Sequence, residues 1–255
     1  MQRVSPRGAQ TKLARSRHLS RAPLREAVLD IQFDQHAALD KVKAFGANVG
    51  SPFHKSSNIW QALVGFQVGD VFGAMPNASQ LQLGTRFDSN DPPCVMQCRI
   101  NGFSFSRLTP YENWESLRDM ARPWFQRFGD AVAPIAVSRL ALRYINALRF
   151  PLPIDSFDRY LTSPPQVPEA LPQTVAGFFS RTVIVDSKST TIAVVAQALE
   201  EQGAPTSVTD TSVAVILDID VFRNVRIESR DFDSIWTILQ ALRDYKNQIF
   251  FEYLT

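Results

Sequence analysis

Histidine and cysteine are scarce: His18, His36 and His54 are the only imidazoles, and Cys94 and Cys98 the only thiols, in 255 residues. Zinc and other transition-metal sites are built from clusters of these types, so no metal-ligand set can be assembled from neighbouring positions. A cysteine nucleophile needs a base beside it, and none of the histidines falls near either thiol in sequence. Three residues separate Cys94 from Cys98 in a stretch that reads as a strand. That spacing holds the two roughly 13 Å apart, beyond the reach of a disulfide. Both are therefore expected to be free, buried thiols. Glycine is also thinly spread, and it forms neither a phosphate-binding loop nor a GxSxG elbow, which removes the common nucleotide and serine-hydrolase signatures. No cofactor is implied. Finally, no apolar run approaches the ~18 residues of a membrane-spanning helix, and the start lacks the apolar core of a secretory signal. The expectation is a soluble, cytoplasmic protein with no membrane partner.

Acidic residues are absent from positions 1–21, where Arg3, Arg7, Lys12, Arg15, Arg17 and Arg21 sit among Ser, Gly and Pro. This composition reads as a disordered basic tail, and it is also that of an organellar transit peptide or an over-extended start. Setting those six charges aside turns the formal +2 of the chain into −4 for the remainder. Any nucleic-acid binding would thus depend on the tail.

What the chain does have is alternation. Val137 to Phe150, VSRLALRYINALRF, puts Leu140, Leu142, Tyr144, Leu148 and Phe150 on one side at period two and Arg139, Arg143 and Arg149 on the other. A continuous strand of that length would span roughly 46 Å, so it is expected to bend or to bridge two parts of a sheet. Leu24 to Phe33 alternates in the same way. A short helix over 36–45 is expected after it, capped by Asp34 and stopped by Gly46. Weak strand patterns cover 59–68 and 81–87, with a loop over 69–79 between them.

Asn101-Gly102 between CVMQCRI and FSFSRL predicts a two-residue type I′ hairpin with Ile100 opposite Phe103 and Cys98 opposite Phe105. Met96, Cys98, Ile100, Phe103 and Phe105 then share a core face, and Gln97, Arg99, Ser104 and Ser106 a wet one. Thr109-Pro110-Tyr111-Glu112 reads as a capping box. The helix behind it carries Trp114, Leu117, Ala121, Trp124, Phe125 and Phe128, is kinked by Pro123 and ends at Gly129.

Beyond a proline-rich connector with one helical turn near 156–161, strands are expected over 174–185, 190–199 and 212–222. A last helix starts from Asp231 or Asp233, with Ile235, Leu239, Leu242, Tyr245 and Ile249 on its inner stripe. The whole reads as α+β: antiparallel sheet with long helices packed on one face. A tail (1–21) precedes two halves (22–151 and 152–255) that share the long central strand in one compact body. Each half runs short helix, strands, long helix, as a duplicated unit would.

Four stretches in order resemble a sporadically distributed family of bacterial proteins of unassigned function. They are Pro23, Glu26 and Ala27 of a Pro-x-x-Glu-Ala start, Leu142-Arg143-Tyr144-Ile145-Asn146, Asp218-Ile219-Asp220, and Asn247, Phe250, Phe251 and Thr255 of the last helix. The resemblance runs from about Pro23 to the end. It implies no catalytic residues. Family members often carry a histidine in the last helix where this chain has Arg243, Asp244 and Tyr245, which argues against a histidine-dependent role.

Arg139 and Arg143 are candidates for an anion-binding stripe, or for cross-strand pairing with acids, and Tyr144 and Asn146 can donate hydrogen bonds beside them. Asp218 and Asp220, at i and i+2, would stand ~7 Å apart on one face, as acid/base pairs do and as solvated strand faces also do. No catalytic constellation emerges. The leading expectation is a non-enzymatic protein-binding or regulatory protein, with a protein partner or self-association through free sheet edges. A nucleic-acid binder using the tail is the second reading, and a metal-assisted hydrolase using Asp218 and Asp220 the third.

Overall fold

The computed structural model describes residues 19, 22–66, 76–134, 136–154, 156–200 and 212–255, with side chains omitted for 62–66 and 76–79. Apart from Leu19, the basic segment 1–21 lies outside the described residues, as do 67–68 at the end of the expected strand and 69–75 of the expected loop.

Among the described residues, nine strands form one antiparallel sheet in the order β2-β3-β4-β5-β1-β6-β9-β8-β7, joined by three α-helices, an α+β architecture. The strands are β1 (Leu24–Phe33), β2 (Lys55–Phe66), β3 (Pro76–Asn90), β4 (Pro93–Arg99), β5 (Gly102–Leu108), β6 (Ala136–Pro151), β7 (Phe179–Asp186), β8 (Thr191–Leu199) and β9 (Ser212–Glu228). The helices are α1 (Leu39–Ala47), α2 (Trp114–Val132) and α3 (Phe232–Glu252), and a single 3₁₀ turn covers Phe157–Arg159. No described helix is long and apolar enough to cross a membrane.

β6 lies in the middle, paired with β1 along one side and with β9 along the other. Its alternation decides the fold, because a strand with neighbours on both sides can bury only one apolar row per surface. Leu140, Leu142 and Tyr144 share their surface with Ala27, Leu29 and Ile31 of β1, and all are 2% exposed or less. Phe103 of β5 belongs to the same surface and meets Phe125 and Phe128 of α2 at 5.6 and 6.1 Å between ring centroids. Burying each such ring or branched chain contributes about 1.5–3 kcal/mol, which is what ties the helices to the sheet.

Local differences from expectation have identifiable causes. The hairpin register is Cys98 opposite Phe103 and Met96 opposite Phe105, two residues from the type I′ alignment. The backbone at Ile100 is engaged elsewhere, donating to Leu83 and accepting from Ala37, so the turn forms at Ile100-Asn101 instead. A shift of two preserves the faces, and both cysteines are fully buried as free thiols. Gly102 has φ 155°, and a Cβ there would lie 2.2 Å from the Ile31 carbonyl oxygen, so glycine is required by the approach of β1. Ser104 and Ser106 are buried rather than wet, being short side chains in the middle of a wide sheet.

α1 starts at Leu39 without a side-chain cap, because the Asp34 carboxylate accepts from the Ala136 amide instead. Gly46 lies inside it. Nor does α2 use the expected capping box. The Thr109 hydroxyl donates to Leu24, and Asn113 caps the helix by accepting from the Ser116 amide. Pro123 leaves α2 unbroken over 19 residues, since its missing donor falls on the exposed side, and the helix passes Gly129 to end at Ala133 in the left-handed region. Asp231 caps α3 as expected, accepting from the Ser234 amide. Its inner stripe holds Ile235, Leu239, Leu242 and Ile249 as expected, and is widened by the buried Trp236, Lys246 and Phe250, while Tyr245 is only partly buried.

Candidate functional site

β6 divides the six candidate residues between its two surfaces. Arg139 and Arg143 point outward with Asp218 and Asp220 of β9, while Tyr144 and Asn146 point inward toward α3. Register explains the split: Arg143 is directly opposite Asp220, and Ile145 opposite Asp218, so odd positions of β6 face the acids.

On the outward surface the charges are consumed by one another. Asp30 of β1 accepts from Arg99 and from Arg139 at 3.4 Å, and Arg139 also reaches Asp220 at 3.4 Å. The Arg139 guanidinium lies 4.3 Å from the centre of the Phe222 ring. Arg143 holds Asp218 through both Nε, at 3.0 Å, and Nη2, at 2.6 Å. Burial raises the Asp220 carboxyl above its ordinary range, an effect opposed by Arg139 and Arg143. A metal ion would have to displace these guanidinium groups. No three His, Cys, Asp or Glu side chains gather into a metal-binding group among the described residues.

The inward surface is different. The Tyr144 hydroxyl is 3.1 Å from that of Tyr111, and the two rings meet edge to face at 85°. Asn146 spends its amide on the backbone, donating to the carbonyls of Tyr144 and Leu217. Over the Tyr144 ring, 3.6 Å from its centre, stands the Lys246 ammonium of α3, on a residue only 9% exposed. Among the described residues it has neither a carboxylate partner nor a hydrogen-bond acceptor. Burial lowers its pKa to about 7, the positive charge of Arg243 adds to the shift, and Asp244 opposes it. Burial likewise pushes Tyr111 up to about 12 and Tyr144 well above its ordinary value, so both hydroxyls keep their protons at neutral pH.

These groups line a cavity of about 100 Å³ between the start of β1, the segment leading into α2, β6 and α3. Pro23, Tyr144, Asn146, Asn247, Phe250 and Phe251, all from the motif stretches described above, are among its walls. An amine near its titration point, beside a neutral hydroxyl, can attract an anion or exchange a proton at neutral pH. Lys246 escaped the sequence reading although a signal was present. It lies four residues after Leu242 and seven after Leu239, a cation on the apolar stripe.

The far edge of the sheet holds a third feature. Among the described residues β7 pairs with β8 alone, and Phe179, Val183 and Val185 on its outward side are 70, 49 and 64% exposed. They lie beside Ala198, Val194 and Ile192 of β8, which continues the apolar surface toward Phe222.

No family model matches the chain, and no curated protein matches it.

Proposed function

We propose that the chain is a non-enzymatic protein-binding module whose free β7 edge adds a strand from its partner, and that this partner is a second copy of the chain. The observation that carries the reading is the apolar row Phe179, Val183 and Val185 on an edge strand that is regular over its whole pairing with β8. Edges not meant for pairing are commonly protected by proline, bulges or charge, and this row is interrupted only by Arg181. Antiparallel pairing of two copies about Thr182 sets Phe179 opposite Val185 and Arg181 opposite Val183, so the strand is its own complement.

In this reading the sheet consists of two similar halves. β1 with the β3–β5 meander and β6 with the β7–β9 meander each close on their first strand, and the two first strands pair at the centre, which supports the idea. The helices cover one face, leaving the other to partners, and the protein works in the cytoplasm as a member of the bacterial family it resembles. Light scattering on the purified chain tests the proposal. A dimer at about 10–100 µM that becomes monomeric in Val183→Lys/Val185→Lys is expected. A wild-type chain that stays monomeric throughout that range overturns it.

A further inference from the structure

We infer that the cavity under α3 is a binding site for a small organic carboxylate, its anionic end at Lys246 and the Tyr111 hydroxyl, its apolar end against Trp114, Phe250 and Leu24. The inference does not depend on the β7 edge.

The argument begins with an unmatched charge. A buried ammonium without an acceptor is costly, and chains rarely keep one where a methionine would fit the same helix stripe. Here the Lys246 ammonium rests on the face of the Tyr144 ring and has no carboxylate or hydrogen-bond acceptor of its own among the described residues: Asp244 is paired with Arg243 at 3.0 Å, and Glu112 lies 3.8 Å from Arg107. The start of β1 and the residue before it contribute only apolar groups, Leu24 and Pro23, and β6 contributes Tyr144 and Asn146. The charged residues of the described lining are Lys246, Arg243 and Glu112, which together carry one positive charge. A net single positive charge with a neutral hydroxyl donor suits a monoanion, whereas a phosphate dianion would leave a charge unmatched.

Size and wall chemistry narrow the class. An apolar cavity of about 150 Å³ takes up benzene. The 100 Å³ here therefore fits a guest of about four to six non-hydrogen atoms, the range from acetate to butyrate. The Trp114 indole N–H is already donated to Gln240 at 2.7 Å, so that ring offers the cavity an apolar surface. Chloride would satisfy the ammonium and leave the apolar end empty. Each methylene buried against that end adds about 0.8 kcal/mol, or about fourfold in affinity.

Titration calorimetry of the full chain with sodium acetate, sodium butyrate and sodium chloride tests this. Butyrate is expected to bind about tenfold more tightly than acetate, with chloride weaker than both. At pH 8, where Lys246 is largely neutral, butyrate binding should take up close to one proton, read from two buffers of different ionisation heat; at pH 6 the uptake should fall toward zero. Lys246→Met should lose at least about tenfold in butyrate affinity, and Tyr111→Phe about three- to fivefold. Should Lys246→Met not fold, ¹³C-methylated lysines in the wild-type chain provide the second measurement: one signal titrating near pH 7 should move to higher pH when butyrate is added. Butyrate no tighter than chloride, uptake of no proton at pH 8, or unchanged binding by Lys246→Met would overturn the assignment.

Discussion

The two surfaces of β6 handle charge in opposite ways. Outward, Arg139 and Arg143 meet Asp30, Asp220 and Asp218, and Arg99 closes the row from β4. Inward, Lys246 faces the ring of Tyr144 with no carboxylate paired to it among the described residues, and Asp244 acts on it only at a distance. Both arrangements are partly or wholly removed from water, so the difference is not one of burial. A matched lattice is a complete structure, since each guanidinium already has the carboxylate that offsets its desolvation. An unmatched cation in a cavity is incomplete, and completing it is what a ligand can do. β6 is therefore a structural lattice on one side and a wall of the candidate site on the other.

The largest effect expected from testing that contrast is on stability as a function of pH. Folded Lys246 holds its proton with a pKa of about 7 against the ordinary 10.5. Between those values the unfolded chain binds more protons than the folded one, so stability from this group rises with pH across the window, and the full penalty applies below pH 7. Lys246→Met should accordingly be more stable than wild type at pH 6, by something on the order of 3 kcal/mol, with most of the advantage gone at pH 10. Thermal or urea unfolding of both chains at the two pH values measures it, and an advantage that does not shrink with pH would show that the ammonium finds a partner after all.

Next in size is the lattice. Asp30 is shared by Arg99 and Arg139, with side-chain exposures of 16, 18 and 21%. The Arg99 Nε is buried without any acceptor, which leaves that guanidinium dependent on Asp30. Asp30→Asn should cost about 2 kcal/mol, seen as a lower urea midpoint at unchanged slope, because two partly buried cations lose their common carboxylate. A cost below about 0.5 kcal/mol would make the lattice no different from loose surface pairs and erase the contrast.

Much of the outward surface was legible in the sequence. Period two in VSRLALRYINALRF placed Arg139 and Arg143 together and away from Tyr144, and the same period in β9 placed Asp218 and Asp220 on one face. Which arginine met which acid depended on the registers of β1, β6 and β9, and a two-residue slip, as in the Cys98–Phe103 hairpin, leaves the faces intact while changing every partner. The inward site was less legible for a different reason. Its members come from β1, the segment before α2, β6 and α3, spread over more than two hundred residues of sequence from Leu24 to Phe251, and no local period connects them. Only Lys246 carried a local sign, as the one cation on the stripe of Leu239, Leu242 and Phe250.

The smallest expected effect separates the lattice from its own margin. Arg143 and Asp218 form a two-pronged hydrogen bond with one contact at 2.6 Å, yet the Arg143 side chain is 51% exposed. If geometry alone governed the value of a pair, this one would outrank Asp30 with Arg139 at 3.4 Å. Solvent screening reverses that order, because water competes for both partners and the flexible arginine loses conformational freedom on pairing. A double-mutant cycle with Arg143→Met and Asp218→Asn should give a coupling of about 0.2–1 kcal/mol that fades in ~1 M salt. A coupling above about 2 kcal/mol that persists in salt would place Arg143 inside the lattice rather than at its edge, and would mean that something beyond the described residues shields it from water.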